Sequence, residues 1–344
     1  MKAMILEKLG TLTGDDEPLR LVDWPEPVVA KDELLLAVSV CGVCHTEIDE
    51  IEGRTPPPHL PLIPGHQVIG RVVAIGSQVK KFALNDRAGV AWIHSACGTC
   101  AYCRSGRENL CPHFKATGRD HHGGYASYLT VPEIFAHPIP AFFTDAEAAP
   151  LLCAGAVGYR SLRLTGLQDG RNLGLSGFGA SGHLVLKMVK HLFPHVSIFV
   201  FARSESERAF SRELGAAWAG DHDETAPEKL DCIIDTTPVW RPVLGALRNL
   251  SPGGRLVINA IGKEEHDKAA LTTLDYPSHL WMEKEIKSVA NVTRADVADF
   301  LTLAAEMQIR PDIQEFALEK ANEALRELKM RKIRGAKVLR IASS

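Results

Sequence analysis

The chain has 344 residues and a formal net charge of -3, and its hydrophobic and charged fractions, 45% and 24%, are those of an ordinary globular protein. The length is sufficient for about two domains, each with its own core. Since no long run of Lys or Arg occurs, nucleic acid and anionic membrane surfaces are not favoured partners.

The N-terminal residues MKAMILEKLG carry charges too early for the apolar core of a signal peptide. The longest apolar stretch, Leu34 to Cys44, is about half as long as a membrane helix. We therefore expect a cytoplasmic, soluble protein. In such a reducing compartment clustered cysteines more often hold a metal than form disulfides.

In chain order, the first part has the texture of a β-rich domain. Short apolar runs such as Glu33–Val40 and Val68–Ile75 are separated by clusters of Pro, Gly and Asp, including the Pro-rich tract Thr55–Pro64. Apolar runs bounded by such residues are typical of strands joined by turns.

From about Gly155 the pattern changes to strands that alternate with amphipathic helices. The segments are, in order, Asn172–Ser176, His183–Leu192, Ser197–Ala202, Glu205–Leu214, Cys232–Asp235, Pro242–Leu250 and Arg255–Ile261. Repeated β-α-β units predict a parallel sheet covered by helices on both faces. After about Asn291 we expect two further helices, Asp296–Met307 and Glu319–Arg331, and a terminal strand, Ala336–Ile341.

The most specific local motif is a set of four cysteines, Cys97, Cys100, Cys103 and Cys111. Four thiolates suit a closed tetrahedral zinc site, which stabilises a loop and leaves no position for a substrate. An iron–sulfur cluster is the alternative, but the ferredoxin spacing has three residues before the last cysteine where this chain has seven. The prediction is a structural zinc in a lobe of about residues 95–112.

A glycine-rich turn follows the predicted strand Asn172–Ser176. Its sequence is Gly177-Phe178-Gly179-Ala180-Ser181-Gly182, and a helix is predicted to follow. In this context the first glycine permits a tight turn, the second a close approach to pyrophosphate, and the third close packing of the helix. The helix N-terminus offers free N–H groups to phosphate. The alternative is a turn without a ligand.

The end of the next strand bears on which nicotinamide cofactor is used. A carboxylate about 20 residues after the turn usually binds the adenosine ribose, yet here Ala202 is followed by Arg203 and Ser204. An arginine at this place could pair with a 2′-phosphate, so NADP(H) is favoured over NAD(H). Alternatively, Arg203 stacks on adenine or caps the next helix.

Three further residues, Cys44, His66 and Cys153, are candidates for an open metal site, although spacing alone does not join them. The short sequence motifs in which they occur do join them. Several motifs, among them the cysteine lobe and the glycine turn, occur along the chain in the order that one protein family shows. The others are Cys41-Gly-Val-Cys44-His45-Thr46-Glu47, Pro64-Gly65-His66-Gln67, Gly123-Gly124-Tyr125-Ala126, Leu151-Leu152-Cys153-Ala154-Gly155 and Gly253-Gly254. Over essentially the whole chain, this pattern resembles the zinc-dependent medium-chain alcohol dehydrogenases.

The resemblance implies an α/β fold in two domains. A GroES-like β-rich catalytic domain, residues 1–154 and 291–344, would be interrupted by a Rossmann cofactor-binding domain, residues 155–290, with the active site in the cleft between them. It also implies a homodimer or homotetramer, formed through the edge of the cofactor-domain sheet.

The resemblance also implies roles for individual residues. The catalytic zinc ligands would be Cys44, His66 and Cys153, a set that leaves a fourth position open. Thr46 would relay the alcohol proton, and Glu47, where Asp is usual, would orient the zinc-bound His66. Basic residues near the cofactor pyrophosphate would be His45 and Arg334, for which a plain surface role is the alternative. Cys41 and Cys232 would only pack.

Two positions depart from the family pattern. Gln67 follows His66 where the family usually has Glu, so exchange of zinc ligands could differ. Asp49 lies where a relay histidine is expected in some members, so the proton could leave through Asp49, His59 or bulk water.

These observations predict an NAD(P)-dependent alcohol dehydrogenase with two zinc ions, which transfers hydride reversibly between an alcohol and the cofactor. A polyol or cinnamyl-type dehydrogenase is the nearest alternative, and it would differ in pocket residues such as Trp92, Ile93 and His121–His122. A zinc ribbon that binds nucleic acid would need a basic face. Its only hint is Arg104, Arg107, Lys115 and Arg119, and the net charge of -3 opposes it.

Overall fold

The computed structural model describes residues 1–14, 16–330 and 335–341. The chain forms two compact units. The first, Met1–Ala156 with Val292–Ser344, is called the split unit, and the second, Val157–Asn291, the inserted unit. The breaks fall at 156/157 and 291/292, whereas the sequence predicts 154/155 and 290/291.

The strands within the described residues are β1 Lys2–Leu6, β2 Leu19–Asp23, β3 Glu33–Val43, β4 Val68–Ile75, β5 Arg87–Val90, β6 Ile93–Ser95, β7 Lys115–Ala116, β8 Tyr128–Pro132, β9 Ala136–Pro138, β10 Asn172–Ser176, β11 Ser197–Phe201, β12 Trp218–Gly220, β13 Leu230–Asp235, β14 Leu250–Ile258, β15 Glu285–Ser288, β16 Ile313–Ala317 and β17 Ala336–Arg340. The α-helices there are α1 His45–Ile51, α2 Ala101–Arg104, α3 Asp145–Pro150, α4 Ala156–Thr165, α5 Ala180–Leu192, α6 Glu205–Glu213, α7 Arg241–Asn249, α8 Tyr276–His279, α9 Arg294–Glu306 and α10 Ala321–Lys329.

The split unit is built on a largely antiparallel sheet in the order β16-β17-β3-β4-β5-β9, with β8 also paired to β3. Strand β3 is its long central member. Alternate residues of β3, beginning at Leu34 and Leu36, are buried in the core, as the two-residue period of a strand requires. The β-rich texture of the first part of the sequence therefore corresponds to a real sheet.

The inserted unit is a parallel sheet in the order β12-β11-β10-β13-β14-β15. The chain leaves β10 towards β11 on one side and returns to its other side with β13. This order is that of a doubly wound dinucleotide-binding sheet, and right-handed crossovers place helices on both of its faces. The predicted α/β class is confirmed.

Element ends differ from the predictions by a few residues. Helix α5 begins at Ala180 rather than His183, because Gly179 is its N-cap. The helix predicted over Glu319–Arg331 begins with a 3-10 turn, Leu318–Lys320, and α10 ends at Lys329, while Arg331 lies outside the described residues. Within the described residues no helix combines the length and the apolar character needed to cross a membrane.

Candidate functional site

The structure brings three distant residues of the split unit together. One ligand atom each from Cys44, His66 and Cys153 lies within 4.8 Å of the others. Cys44 Sγ is 3.8 Å from Cys153 Sγ, and His66 Nε2 is 3.3 Å from Cys153 Sγ. The tertiary fold thus forms the trio that sequence spacing could not join.

Helix α1 positions the first of these ligands. Cys44 is the N-cap of α1 with extended backbone, and its N–H donates to Glu47 Oε2 at 2.8 Å, as in a capping box. The other carboxylate oxygen, Oε1, lies 2.5 Å from His66 Nδ1. Glu47 is fully buried, so a single side chain orients two of the three candidate ligands.

Cys153 is held by an unusual helical turn. Leu151–Gly155 is a π-helical turn between α3 and α4, and such turns are frequent at functional sites. Gly155 closes it. A Cβ at Gly155 would stand 2.1 Å from a ring carbon of Phe300 in α9, so only glycine permits this approach.

The electrostatics of the trio favour a bound cation. The hydrogen bond between the sulfurs lowers the pKa of Cys44 and raises the pKa of Cys153, so the site favours negative charge on Cys44. Burial opposes charge on His66, but the carboxylate of Glu47 and the sulfur of Cys44 together hold the pKa of His66 above its usual value. Burial in turn raises the pKa of Glu47, while His66 opposes that rise.

The donor set fits zinc. Ligands at the usual zinc distances of about 2.3 Å for sulfur and about 2.0 Å for nitrogen would place two sulfurs about 3.8 Å apart in a tetrahedral site. The observed Cys44–Cys153 separation is 3.8 Å. Two thiolates and an imidazole are also a known catalytic zinc set with one coordination position left for another molecule.

The four lobe cysteines form the second cluster. The sulfurs of Cys97, Cys100, Cys103 and Cys111 all lie within 4.8 Å of one another. Cys97 Sγ is 3.9 Å from Cys103 Sγ and 3.5 Å from Cys111 Sγ, again close to tetrahedral zinc geometry.

Local backbone groups prepare this lobe for thiolates. The N–H of Cys100 lies 3.4 Å from Cys97 Sγ, and the N–H of Cys103 lies 3.4 Å from Cys100 Sγ. Hydrogen bonds from the backbone of Thr99 and Cys100 lower the pKa of Cys97 to about 5. Donors aimed at sulfur favour the charged ligand that a metal requires.

The glycine turn of the inserted unit has the geometry its sequence indicates. Gly177, at φ +84°, adopts the left-handed conformation. A Cβ at Gly182 would stand 2.8 Å from the carbonyl oxygen of Gly177, whereas one at Gly179 would meet no atom within 4 Å. The second glycine therefore faces open space at the N-terminus of α5, which begins at Ala180. Because no side chain fills this space, it is available to a phosphate group.

The turn after β11 contains Arg203 and Ser204, the two residues proposed to bind the adenosine end of a cofactor. Ser204 is the N-cap of α6 and accepts a hydrogen bond from the N–H of Glu207 at 3.2 Å. Ser204, and not Arg203, therefore caps helix α6. Arg203 is exposed, and its guanidinium has no ion pair with another described residue.

Several predicted residues are not part of the metal trio itself. Thr46 is buried, and its hydroxyl lies 3.6 Å from Cys44 Sγ, within reach of the site. His45 is exposed, and so is His59. Asp49 forms an ion pair with Arg54, its Oδ1 lying 2.6 Å from Arg54 Nε. Arg334 lies outside the described residues.

Gln67 is buried and turned towards β3. Its Oε1 lies 2.6 Å from the place where a Cβ on Gly42 would stand, so the amide fills the space that this glycine leaves.

Sequence reasoning missed a residue that supports the lobe. Glu108 is 2% exposed, and its Oε1 accepts hydrogen bonds from the N–H of Arg294 at 2.7 Å and from Arg294 Nε at 3.1 Å. This pair ties the lobe to the start of α9. A carboxylate among lobe cysteines was the available signal, but its partner is 186 residues away.

The basic residues near the lobe are mostly engaged. Arg104 donates to the carbonyl oxygen of Thr99 at 2.6 Å, and Arg119 pairs with Asp120 at 3.3 Å. Arg107 lies over the ring of Tyr102. These contacts weaken the case for a nucleic-acid surface, since such a surface needs free cations.

Comparison with known proteins agrees with this geometry. Residues 30–141 match the model of the alcohol dehydrogenase GroES-like domain. The chain is 42% identical, over 332 residues, to a probable alcohol dehydrogenase, AdhA, of Mycobacterium tuberculosis, with 95% of this chain and 94% of that protein covered. It is 30% identical to an alcohol dehydrogenase of Geobacillus stearothermophilus, with coverage of 97% and 99%.

A solved structure agrees as well. The cinnamyl alcohol dehydrogenase of Sorghum bicolor superposes with a TM-score of 0.84 at 26% identity, covering 98% of this chain and 97% of that one. The family resemblance read from the motifs and the predicted GroES-like fold are both confirmed. The chain belongs to the zinc-dependent medium-chain alcohol dehydrogenase family, whose members are oxidoreductases that act on alcohols.

Proposed function

We propose that the chain is a zinc-dependent, NAD(P)-linked alcohol dehydrogenase that interconverts an alcohol and its aldehyde or ketone. The observation that carries this proposal is the convergence of Cys44, His66 and Cys153 from three distant segments of the split unit. The open glycine turn at the N-terminus of α5 supports the nicotinamide part of the proposal.

Two zinc ions are proposed for each chain. Cys97, Cys100, Cys103 and Cys111 would hold a structural ion, because four thiolates close a tetrahedral site. Cys44, His66 and Cys153 would hold the other, which supplies Lewis-acid polarisation of an alcohol or carbonyl oxygen. The cofactor supplies the hydride acceptor.

The residues of the chain supply orientation and proton movement. Glu47 fixes the ring of His66 with one oxygen and the backbone of Cys44 with the other. Thr46 Oγ1 accepts the alcohol proton and passes it outward, since its hydroxyl is both a donor and an acceptor.

Asp49 follows Thr46 by one turn of α1, and burial raises the pKa of its carboxyl while Arg54 lowers it. We propose Asp49 as the next acceptor, with His59 and bulk water as the alternatives. An Asp49→Asn variant whose alcohol oxidation keeps the wild-type pH profile would exclude Asp49.

For the cofactor we propose NADP(H) over NAD(H). The basis is the exposed guanidinium of Arg203 at the end of β11, where no carboxylate repels a 2′-phosphate. Gly177, Gly179, Ala180 and Gly182 would contact the pyrophosphate, with His45 and Arg334 as further basic residues. Arg203→Ala should raise KM for NADP about 10–100-fold and leave KM for NAD nearly unchanged, the loss expected for a charge-assisted contact.

The deciding experiment is a panel of primary, secondary, polyol and cinnamyl-type alcohols assayed with NAD and NADP, before and after chelation. We expect reduction of one cofactor, loss of that activity on chelation, and its return with added Zn²⁺. Failure of every alcohol with both cofactors, in protein loaded with two zinc ions, would contradict the proposal. Fastest turnover with cinnamyl alcohols or with polyols would assign the chain to that alternative type.

A homodimer or homotetramer in the cytoplasm is proposed as the working form. Strand β15 is the edge of the inserted sheet, and Ile286 on it is 46% exposed. The unpaired backbone N–H and C=O groups of an edge strand are a template for pairing with a second chain, and Ile286 is the apolar residue on this one. Ile286→Lys should lower the mass measured by light scattering to that of a smaller assembly.

A further inference from the structure

The carboxyl ends of the inserted strands carry a buried ion pair that the proposed mechanism does not use. Asp235, the last residue of β13, is 0% exposed, and the side chain of Lys263, after β14, is 6% exposed. Lys263 Nζ lies 2.5 Å from Asp235 Oδ2. Buried charges occur almost only as pairs, so each of these groups requires the other.

Lys263 also holds the backbone of the loop that follows β13. Its Nζ donates to the carbonyl oxygen of Thr237 at 2.6 Å and to that of Val239 at 3.0 Å. Next to it, the N–H of Glu264 donates to the carbonyl oxygen of Pro238 at 2.7 Å. The ammonium therefore fastens the loop after β13 to the loop after β14.

The same loop contacts the glycine turn. Thr236 Oγ1 is 3.2 Å from the carbonyl oxygen of Ser176 and 3.4 Å from that of Gly177. Ser176 Oγ donates to Asp235 Oδ1 at 2.9 Å. A movement of the loop after β13 would therefore disturb these contacts with Ser176 and Gly177, where the glycine turn begins.

The position of these hydrogen bonds in the sheet indicates a role in ligand binding. Strand β10 lies between β11 and β13, and the chain order reverses there. In doubly wound sheets the ligand binds at this reversal, outside the carboxyl ends of the strands. Ser176, Asp235 and Lys263 all lie at or directly after those ends.

We propose that Lys263 is a positioning residue for the dinucleotide. By neutralising Asp235 and binding the carbonyl groups of Thr237 and Val239, it keeps the loop after β13 in the shape that receives the cofactor beside Gly177. This inference rests on the proposed nicotinamide-dependent function.

The test measures cofactor affinity directly, by quenching of protein fluorescence as NADPH and NADH are added to zinc-loaded protein. Lys263→Met should raise Kd for the better-bound cofactor at least about tenfold, the change expected on losing a charge-assisted hydrogen bond. The titration is performed well below the Tm of every variant. An unchanged Kd for folded Lys263→Met would overturn the proposal.

Lys284 provides a matched control. Its Nζ also donates to two carbonyl oxygens, of Leu247 at 2.7 Å and of Ser278 at 2.8 Å, but it directly precedes β15, at the amino end of the strands. Lys284→Met should lower Tm and leave Kd within about twofold of wild type, since ligands bind at the opposite ends of the strands. An equal rise of Kd in this control would show that general loosening, not Lys263, is responsible.

A double variant separates positioning from bare charge. Lys263→Met leaves Asp235 without its ion-pair partner next to the glycine turn, whereas Asp235→Asn with Lys263→Met removes both charges. Positioning predicts that the double variant also binds weakly, because the carbonyl groups of the loop have lost their ammonium. Wild-type affinity in the double variant would overturn the proposal. Should Lys263→Met fail to fold, the double variant serves as the test in its place.

The wild-type titration keeps this inference distinct from the function on which it rests. If wild-type protein binds neither NADPH nor NADH, the proposed function fails. If it binds one of them and the Lys263 variants bind it equally well, only the role of Lys263 fails.

Discussion

The two cysteine clusters of the split unit are built from similar ligands but in opposite ways. The lobe takes all four sulfurs from residues 97–111, and its short loops aim backbone N–H groups at them. The other cluster takes its ligands from the start of α1, the segment before β4 and a π-helical turn. Cys44 and Cys153 are 109 residues apart.

This difference teaches how each cluster should respond to change. The local cluster offers four ligands that would close a tetrahedron, so a metal bound there would contribute to stability. The distant cluster offers three ligands, two of them oriented by a buried acid, Glu47, so a metal bound there would keep a position for chemistry. Loss of a ligand in the Cys44, His66 and Cys153 cluster should therefore reduce turnover. Loss of ligands in the lobe should instead destabilise the fold.

The largest effect on turnover is expected from Cys153→Ser. A metal that polarises a substrate oxygen contributes several kcal/mol to the transition state, so kcat/KM should fall at least about 10³-fold. Metal analysis should find one zinc per chain instead of two, with Tm within a few degrees of wild type. Full activity with one zinc would show that the lobe, not this trio, serves the reaction.

The largest effect on stability is expected from the double variant Cys100→Ser with Cys103→Ser. Structural zinc supplies folding free energy of about 10 kcal/mol in the smallest domains, and a lobe within a larger unit should lose a part of that. We expect a drop in Tm on the order of 10 °C, with residual turnover at low temperature. Differential scanning calorimetry and cold activity assays measure the two; an unchanged Tm would contradict a structural role.

A smaller loss of rate is expected from Thr46→Val, which keeps the shape of the side chain and removes the hydroxyl. Proton transfer by a positioned group typically contributes at least about 10²-fold, so kcat should fall about 10²-fold. The zinc content should remain at two, which distinguishes this variant from Cys153→Ser. A kcat equal to that of wild type would exclude Thr46 from the relay.

The smallest effect is expected from Glu47→Gln. The amide can still cap the N–H of Cys44 but no longer places a charge beside His66, so activity or zinc affinity should fall about 10–100-fold. Glu147 offers a matched control because it forms a capping box with Thr144 and contacts no candidate ligand. If Glu147→Gln reduces zinc affinity as strongly, the effect of Glu47 belongs to helix capping alone.

Much of this molecule was predictable because its signals are local. The glycine turn, the strand–helix alternation and the lobe spacing each lie within a short stretch, where backbone geometry and residue type constrain each other. Helix ends were less predictable. The start of α5 at Ala180 depends on Gly179 as its cap, and the turn before α10 narrows to a 3-10 form at Leu318–Lys320.

The sequence by itself determined the family, the α/β class and the lobe, since the residues that define them are neighbours in the chain or occur in recognisable words. Only the tertiary structure brought Cys44, His66 and Cys153 within ligand distance of one another. Only it paired Lys263 with Asp235. Such contacts depend on where separate strands and loops end in space. Burying these polar and charged groups is unfavourable unless their partners meet there, and no local pattern records that meeting.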